Sequence, residues 1–282
     1  MNGARAYRHR RIALLTQHGK EKVMAPLFAE ALGARVERVT GFDTDRLGTF
    51  TRDVARTGSQ LDAARQKAEV GLRLSGLDCA AASEGAFGAG LWGLVPTNLE
   101  LVILVDRAEG VEIVGRAHGP AHQVHREVAT LEALAELAHS VGFPAHGLVV
   151  RPDGEDDPRL QKGAADWAQL RAAFERAQAQ SLTSRVFVES DLRAHRNPAR
   201  MEVIERATRN LLQRLASECP RCGTSGFWVV ELLPGLPCRE CRAPTQVPRA
   251  ERWACVRGDH VEVRARDGAP DADSSQCDGC NP

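Results

Sequence analysis

The stretch RIALLTQHGKEKVMAPLFAEALGARVERVT (residues 11–40) has the pattern of a strand, a helix and a second strand. The apolar runs at 11–16 and 35–40 have the length of buried strands, whereas 20–33 repeats apolar residues at helical spacing and ends on the glycine of EALG. Strand, helix and strand in this order form the repeating unit of α/β folds. The stretch therefore predicts an α/β protein.

The same alternation continues along the chain. Further strand-like runs lie at 77–83, 99–106, 111–118, 146–151 and 185–190, and further helical patterns lie at 58–75, 126–141, 163–180 and 198–217. DRAEG, between the fourth and fifth runs, is typical of a hairpin turn and makes the predicted sheet mixed. We expect residues 1–215 to form an α/β domain, a mixed sheet flanked by helices, and residues 216–282 to form a small second domain.

Composition excludes some classes of protein. The 282 residues are 43% hydrophobic, which supports an ordinary core, and 37 basic residues balance 37 acidic ones. A strongly basic surface for non-specific nucleic-acid binding is therefore missing, although a local patch is compatible with these totals. No apolar run approaches the ~18 residues of a membrane span, and the N-terminal residues do not resemble a secretory signal. We expect a cytoplasmic protein that does not enter a membrane.

Seven of the eight cysteines follow residue 218, in four short motifs. These motifs are CPRCG (219–223), PCREC (237–241), WACVRGDH (253–260) and QCDGC (276–280). Two CxxC pairs separated by fifteen residues have the spacing of a zinc ribbon, in which each tight turn delivers two thiolates to a tetrahedral ion. Disulfides are disfavoured because the cysteines are paired at metal-ligand spacing and no secretory signal is recognised.

We predict two structural Zn²⁺ ions in a C-terminal double zinc-ribbon domain. In the third motif Gly258 stands where another cysteine would complete the turn, so His260 is the expected substitute. The predicted first site is Cys219, Cys222, Cys238 and Cys241, and the predicted second site is Cys255, His260, Cys277 and Cys280. Pairing the first motif with the fourth and the second with the third is an alternative that spacing leaves open. Sites with four protein ligands are structural rather than catalytic.

Polar residues also gather where the predicted strands end. TQHGKEK places Thr16, His18 and Lys20 at a strand-to-helix turn, where backbone N–H groups bind anions. GFDTDRLGTF follows the second strand and contributes Asp43 and Asp45. Taken alone, each motif is equally typical of an ordinary turn or helix cap.

A second acidic motif comes at the next strand. SEGAFG places Glu84 at the expected end of that strand, and the preceding helix carries Lys67. Carboxylates in separate loops at strand ends commonly hold Mg²⁺, with phosphate oxygens and water completing its coordination. The acidic motifs together therefore predict a magnesium site.

The junction ESDLRAHRNPARM (189–201) is rich in ionisable residues. Asn197 precedes a proline, which suits the first helical turn, so Asn197 is predicted to cap the following helix. Arg193, His195 and Arg200 surround this helix N-terminus, where an anion is favoured. A solvated turn is the alternative interpretation.

The chain as a whole is similar to an uncharacterised bacterial family defined only as a domain of unknown function. The shared elements are TQHGKEK, DTDRLGTF, SEGAFG, FPAHGLVV, KG, DLRAHRNPARM and the cysteine-rich end with its terminal CNP. This resemblance covers nearly the full length and implies no established activity.

The chain also resembles, more distantly, the inosine triphosphate pyrophosphatase-like superfamily of nucleotide hydrolases. The T-G-N-x-x-K turn of that superfamily is matched by Thr16 and Lys20, with His18 where asparagine is usual, and its A-x-x-K-A helix is matched around Lys67. Its D-S-G motif is similar to Glu84 and the following glycine, and its S-H-R element is similar to DLRAHRNPARM.

This resemblance implies hydrolysis of a nucleotide or another phosphorylated small molecule. Mg²⁺ would be held by Asp43 or Asp45 with Glu84, and His18 and His195 would contact substrate or transfer protons. Lys20, Lys67, Arg193 and Arg200 would bind the phosphates.

Two other functions stay open. The zinc ribbons can recognise nucleic acid or a protein, since arginines and the tryptophans Trp228 and Trp253 occur among the cysteines. The α/β part would then be a scaffold. Alternatively, that part senses a small anion without turning it over. The sequence does not indicate an oligomeric state.

Overall fold

A computed structural model of the chain describes residues 6–44, 58–89, 96–121 and 123–281. Five α-helices and three sheets lie within these ranges. In chain order the elements are β1 (Arg11–Leu15), α1 (Glu21–Leu32), β2 (Arg35–Val39), α2 (Gln60–Ser75), β3 (Cys79–Ala89), β4 (Pro96–Asp106), β5 (Val111–Pro120), β6 (His125–Val128), α3 (Leu131–Ser140), β7 (Leu148–Arg151), β8 (Gln161–Lys162), α4 (Trp167–Gln180), β9 (Val186–Ser190), α5 (Pro198–Ala216), β10 (Trp228–Pro234), β11 (Pro248–Ala254) and β12 (Val261–Ala265).

The first sheet, called the central sheet, has the strand order β2-β1-β3-β4-β5. β1 is parallel to both β2 and β3, whereas β4 is antiparallel to β3 and β5. The turn between β4 and β5 is the predicted DRAEG hairpin turn. The prediction of an α/β fold with a mixed sheet is confirmed.

Helices cover both faces of the central sheet. α1 and α5 pack on one face, where Leu14 and Ile204 share a core, and α2 packs on the other, where Ala13, Ala64 and Ile103 share a second core. This division follows from the strand period, because successive side chains point to opposite faces.

Close contact between α5 and the central sheet depends on a glycine. A Cβ atom built on Gly115 of β5 would lie 2.7 Å from Leu211 Cα of α5 and closer still to the backbone oxygen of Ala207. Any larger residue at position 115 would therefore push the helix off the sheet.

A second sheet, of order β6-β9-β7-β8, is antiparallel throughout and is covered by α3 and α4. Its core is separate and contains Leu134, Phe174 and Val188. The sequence predicted one sheet, and it predicted a helix from residue 126. The predicted start of this helix was wrong. His125–Val128 is a strand that pairs with β9, and α3 begins only after its N-cap Thr130.

The third strand is longer than the sequence predicted. β3 pairs with β4 along its whole length, from Cys79 opposite Asp106 to Ala89 opposite Pro96. SEGAFG is therefore strand rather than loop, and Glu84 lies within β3 instead of at its end. Antiparallel pairing carries β3 past the end of β1, which pairs with it at Ala80 and Ala81.

The C-terminal residues form the antiparallel C-terminal sheet, of order β10-β11-β12, and the loops before β10 and after β11 contact the central sheet. Ser217 Oγ donates to the carbonyl of buried Phe227 at 2.6 Å, and Gly226 lies against Ile113 of β5. Arg257 also donates to the backbone oxygen of Glu109, in the turn after β4.

Among the described residues, the structure contains no helix with the length and apolar character of a membrane span.

Candidate functional site

The turn after β1 brings a lysine to the part of β3 that extends past the end of β1. Thr16 Oγ1 accepts a hydrogen bond from the His18 backbone N–H, and Gly19 adopts a left-handed φ of 70° that suits glycine. Lys20 follows at the start of α1, and its Nζ donates to the carbonyl oxygen of Ser83 at 3.0 Å. Ser83 is accessible to this lysine because β3 continues past the end of β1.

Lys20 is buried among other charged groups. Only 6% of the residue is exposed, and burial lowers its pKa from 10.5 to about 7. The positive charges of Arg200 and Lys67 lower this pKa further, whereas the carboxylates of Glu100 and Glu84 partly offset the effect. We call Lys20, Lys67, Glu84, Glu100 and Arg200 the edge cluster.

The two carboxylates of the edge cluster lie on opposite faces of the central sheet. Glu84 forms an ion pair with Lys67 of α2, and both side chains are largely buried. Glu100 accepts from Arg200 Nε of α5 at 2.6 Å, and both of these side chains are almost fully buried. Strand alternation produces this arrangement. Gly85 lies opposite Glu100 in the pairing of β3 with β4, so these two residues share one face. Glu84 precedes Gly85 by one residue and therefore points to the other face.

Glycine at position 85 leaves room for the Glu100–Arg200 pair. A Cβ atom built on Gly85 would lie 2.6 Å from Arg200 Nη2 and closer still to Glu100 Oε1. Arg200 also donates from Nη1 to the Leu192 backbone oxygen at 2.6 Å, which fixes its guanidinium over β3 and β4. The pair is therefore held in one geometry from several sides.

Several buried polar atoms beside Arg200 have no hydrogen-bond partner within the described ranges. They are Ser83 Oγ, both amide atoms of Asn98, and Glu100 Oε2. The three residues share the α5-facing side of the central sheet, as their register shows. A buried polar group without a partner costs about 1–3 kcal/mol, so these atoms require bound water or a ligand as partners.

The junction before α5 is mostly engaged in structural contacts. Asn197 Oδ1 accepts from the Arg200 backbone N–H at 3.0 Å, so the predicted N-cap is confirmed. Arg193 donates to both carboxylate oxygens of buried Asp191, at 3.0 and 2.6 Å. Arg196 donates to the backbone oxygen of Ala164, near β8.

The same junction also contacts the turn after β1. The rings of His18 and His195 are stacked, with centroids 5.1 Å apart and an angle of 16° between the planes. Burial lowers the pKa of His195, and the neighbouring His18 and Arg193 lower it further. Residues 191–197 thus connect the second sheet to the central sheet beside Lys20.

The structure brings together only part of the site that the sequence predicts. Lys20, Lys67, Glu84 and Arg200 converge, and Thr16 and Asn197 lie in the adjoining turns. Arg193 lies instead with Asp191, and His18 lies with His195.

The magnesium ligands are not assembled within the described part of the chain. Asp43 is exposed there, and Asp45 lies outside the described residues. The groups of three or more potential metal ligands found in that part consist of cysteines alone. Glu84 and Glu100 are each paired with a cation, which makes them poor ligands for a second positive ion.

Sequence reasoning missed Ser83, Asn98 and Glu100. In PTNLELVILVD, Asn98 and Glu100 alternate with leucines, which is the pattern of a strand with one solvated face. Only the packing of α5 on this face buries them. The one available signal for a buried polar site was that Asn98 and Glu100 lie just before the apolar run at 101–105.

The cysteines form two clusters within which the ligand atoms lie no more than 4.8 Å apart. The Cys238 cluster contains Cys238, Cys241, Cys277 and Cys280, and the Cys255 cluster contains Cys219, Cys222 and Cys255. These clusters can hold zinc. The first motif thus pairs with the third and the second with the fourth, so the predicted pairing and its alternative were both wrong.

The hairpin of β10 and β11 explains this pairing. Ala254 at the end of β11 lies opposite Trp228 at the start of β10, so Cys255 comes beside the first motif. The second motif follows β10 at the far end of the hairpin, where Cys238 bridges to Ala272 near the fourth motif. A strand of seven residues spans about 23 Å, which is too far for the first two motifs to share an ion.

His260 is not a member of either cluster. Its ring is stacked on Phe227, with centroids 5.6 Å apart, and its Nε2 lies 3.0 Å from Glu262 Oε1. The predicted site of His260 with Cys277 and Cys280 was therefore wrong, because those two cysteines belong to the Cys238 cluster.

Comparison with known proteins gives the chain a family. It belongs to the family described as Domain of unknown function (DUF6671). The match covers residues 67–282, which include Lys67, Glu84, Glu100 and Arg200 of the edge cluster and all four cysteine motifs. A search of curated proteins finds no match. The predicted similarity to a family of unknown function is confirmed.

Proposed function

We propose that the edge cluster binds a small anionic molecule, and that its ligands are phosphorylated compounds such as nucleotides. The observation that carries this proposal is the burial of Lys20 beside two other cations. The cluster contains three cationic side chains and two carboxylates, so a bound anion would balance the charge and favour protonated Lys20. Arg200 contributes planar donors that suit phosphate or carboxylate oxygens.

The unpartnered atoms beside Arg200 indicate the rest of the ligand. Asn98 has both donors and an acceptor to satisfy, Ser83 has a hydroxyl, and Glu100 Oε2 is an acceptor. An anion without O–H or N–H groups, such as sulfate, would leave Glu100 Oε2 unsatisfied. We propose that the ligand also carries hydrogen-bond donors, such as the hydroxyl or amino groups of a nucleoside.

The resemblance to the inosine triphosphate pyrophosphatase-like superfamily supports a nucleotide in particular. The similar residues include Thr16, Lys67, Glu84 and Lys20, which lies one position closer to Thr16 than the lysine of the motif does. Lys20, Lys67 and Glu84 are members of the edge cluster. Hydrolysis, magnesium dependence and the superfamily relationship all stay predictions, as does a cytoplasmic location. Glu84 and Glu100 are each paired with a cation, so the proposal includes no metal-dependent step.

Calorimetric titration of the full chain with phosphate, pyrophosphate and a panel of nucleoside mono-, di- and triphosphates tests binding. We expect nucleotides to bind, and Lys20→Met to abolish binding. Lys22→Met is the matched control, because Lys22 lies two residues away on α1 and is exposed. Repeating the titration near pH 8 in buffers of different ionisation enthalpy should reveal proton uptake, since the anion favours protonated Lys20. Equal affinity of the Lys20 and Lys22 variants would refute the proposal.

A separate assay addresses turnover. Release of phosphate or pyrophosphate from the same nucleotides, with and without Mg²⁺, is compared between the native chain and Glu84→Gln. Loss of turnover in a variant that still binds nucleotide would support the hydrolase prediction. Binding without turnover would leave a nucleotide sensor.

The zinc-ribbon module remains the rival candidate. Its tryptophan rings are already covered, since Arg264 lies 4.4 Å from the ring centroid of Trp253 and Arg214 lies 5.4 Å from that of Trp228. Rings stacked on arginine are less available to nucleic-acid bases. A salt-sensitive gel shift that maps to residues 218–282, with no nucleotide bound, would favour this alternative.

A further inference from the structure

The two cysteine clusters differ in a way that points to different chemistry. We infer that the Cys255 cluster binds Zn²⁺ through three thiolates and leaves the fourth coordination position to an exchangeable ligand from solution. The Cys238 cluster supplies four thiolates and makes a closed structural site. Three protein ligands with an open position are the arrangement of zinc sites that take part in chemistry. This inference does not depend on the edge cluster.

Space for the exchangeable ligand lies next to Gly258. In a Cys-x-x-Cys turn that begins at Cys255, position 258 would carry the second thiolate. A Cβ atom built on Gly258 would have one neighbouring residue within 4 Å, namely Cys255, whose Sγ lies 3.9 Å away. The Gly258 N–H donates to the same sulfur at 3.3 Å, so the backbone already has the form of a metal-binding turn. What the turn lacks is the fourth side chain.

His260 is held away from the open position. Phe227 packs parallel to its ring, and Glu262 hydrogen-bonds its Nε2. The backbone oxygen of His260 accepts from the Cys255 N–H at 3.0 Å, which fixes the loop. Coordination through Nε2 would require His260 to give up its hydrogen bond to Glu262.

Other side chains near the Cys255 cluster are also engaged. Asp259 is paired with Arg221 at 3.1 Å, and the Thr224 hydroxyl oxygen accepts a hydrogen bond from Cys222 Sγ at 3.2 Å. Within the described ranges, no histidine, acidic residue or further cysteine places a ligand atom in the Cys255 cluster beside its three cysteines. The fourth ligand therefore comes from outside the cluster.

The charge of the site selects the class of ligand. Three thiolates on Zn²⁺ carry one net negative charge, which disfavours small hard anions. Water, thiols and imidazoles are the donors that suit zinc in such surroundings. Cys222 is exposed, so ligands of this size can reach the site from solvent.

Cobalt substitution tests the inference on the full chain. The chain is reconstituted with Co²⁺, and its visible spectrum is recorded while imidazole or 2-mercaptoethanol is added. We expect two ions per chain, one of which changes its spectrum with added ligand while the other does not. Gly258→Cys should complete the turn, abolish the response and strengthen thiolate charge-transfer absorption. His260→Ala should keep both the second ion and the response.

Contrary results are equally clear. A single ion per chain, a native spectrum that ignores added ligands, or loss of the second ion in His260→Ala would each overturn the inference. If Gly258→Cys fails to fold, cadmium NMR of the native chain replaces it. Two signals that both have the shift of four thiolates would contradict an open position, whereas one signal of three thiolates would support it.

Discussion

Replacing Lys20 by methionine should stabilise the protein at neutral pH while it removes the proposed anion site. Methionine matches the length of the lysine stem and carries no charge, so the packing at the start of α1 is retained. What changes is the cost of burying an ammonium group. Lys20 is 6% exposed and its pKa is lowered to about 7.

The size of the effect follows from this pKa. A fall from 10.5 to about 7 corresponds to about 5 kcal/mol of free energy against the charged form. Loss of the hydrogen bond from Lys20 to the Ser83 carbonyl costs about 1 kcal/mol, so the free energy of unfolding should rise by about 3–4 kcal/mol at pH 7.

The pH dependence of the gain has a fixed sign. Below pH 7 both the folded and the unfolded chain carry the proton, so the full penalty is present. Between pH 7 and 10.5 the unfolded chain binds more protons, and the native protein recovers stability as pH rises. The gain from Lys20→Met should therefore be largest at pH 7 and below and should shrink toward pH 10.

Urea unfolding of the native chain, Lys20→Met and Lys22→Met at pH 7 and at pH 10 measures these differences. The exposed Lys22 should give a change within about 0.5 kcal/mol at both pH values. If Lys20→Met destabilises the chain at pH 7, or if its effect is the same at both pH values, then Lys20 is not buried as a costly charge. The central argument for an anion site would then be wrong.

Other predictions follow from single contacts. Gly85→Ala should lower the free energy of unfolding by about 1–3 kcal/mol and weaken ligand binding, because the added Cβ collides with the Glu100–Arg200 pair. Urea unfolding measures the first effect and nucleotide titration the second. Asn197→Ala should cost about 1 kcal/mol in the same unfolding assay, whereas Asn197→Ser should restore most of it. Removal of zinc by a chelator should expose Trp228 and Trp253, seen as a fluorescence shift, while far-ultraviolet circular dichroism keeps the helical signal of the α/β part.

Local patterns predicted most of the fold. All five helices of the described residues were predicted. The signals were apolar periodicity, glycines at helix ends and the proline at the start of the last helix, and each of them depends only on residues close in sequence. The second sheet was not predicted, because β6 and β8 are only four and two residues long and exist through pairing with β9 and β7. Pairing between distant strands leaves little trace in local sequence.

The edge cluster shows where sequence reasoning reaches its limit. Lys20, Lys67 and Glu84 could be chosen from motifs, since each stands out against its local pattern. Glu100 could not be chosen, because a polar residue alternating with leucines is ordinary on a half-exposed strand. Its importance comes from Arg200, which lies one hundred residues away and meets it only when α5 closes over the sheet.

The geometry of the edge cluster also restricts how a ligand can bind. Glu84 and Glu100 point to opposite faces of the central sheet, and each is covered there by a helix that supplies its cation. A ligand therefore cannot reach both carboxylates by lying on one face. The common point is the edge of β3 past the end of β1, where Lys20 binds the Ser83 carbonyl. On the proposed function, an anion would bind Lys20 at this edge, and its remaining groups would lie beside Asn98 and Arg200. If Lys20 binds the proposed anion, the same amine that lowers the stability of the fold would supply binding energy, a trade-off typical of functional sites.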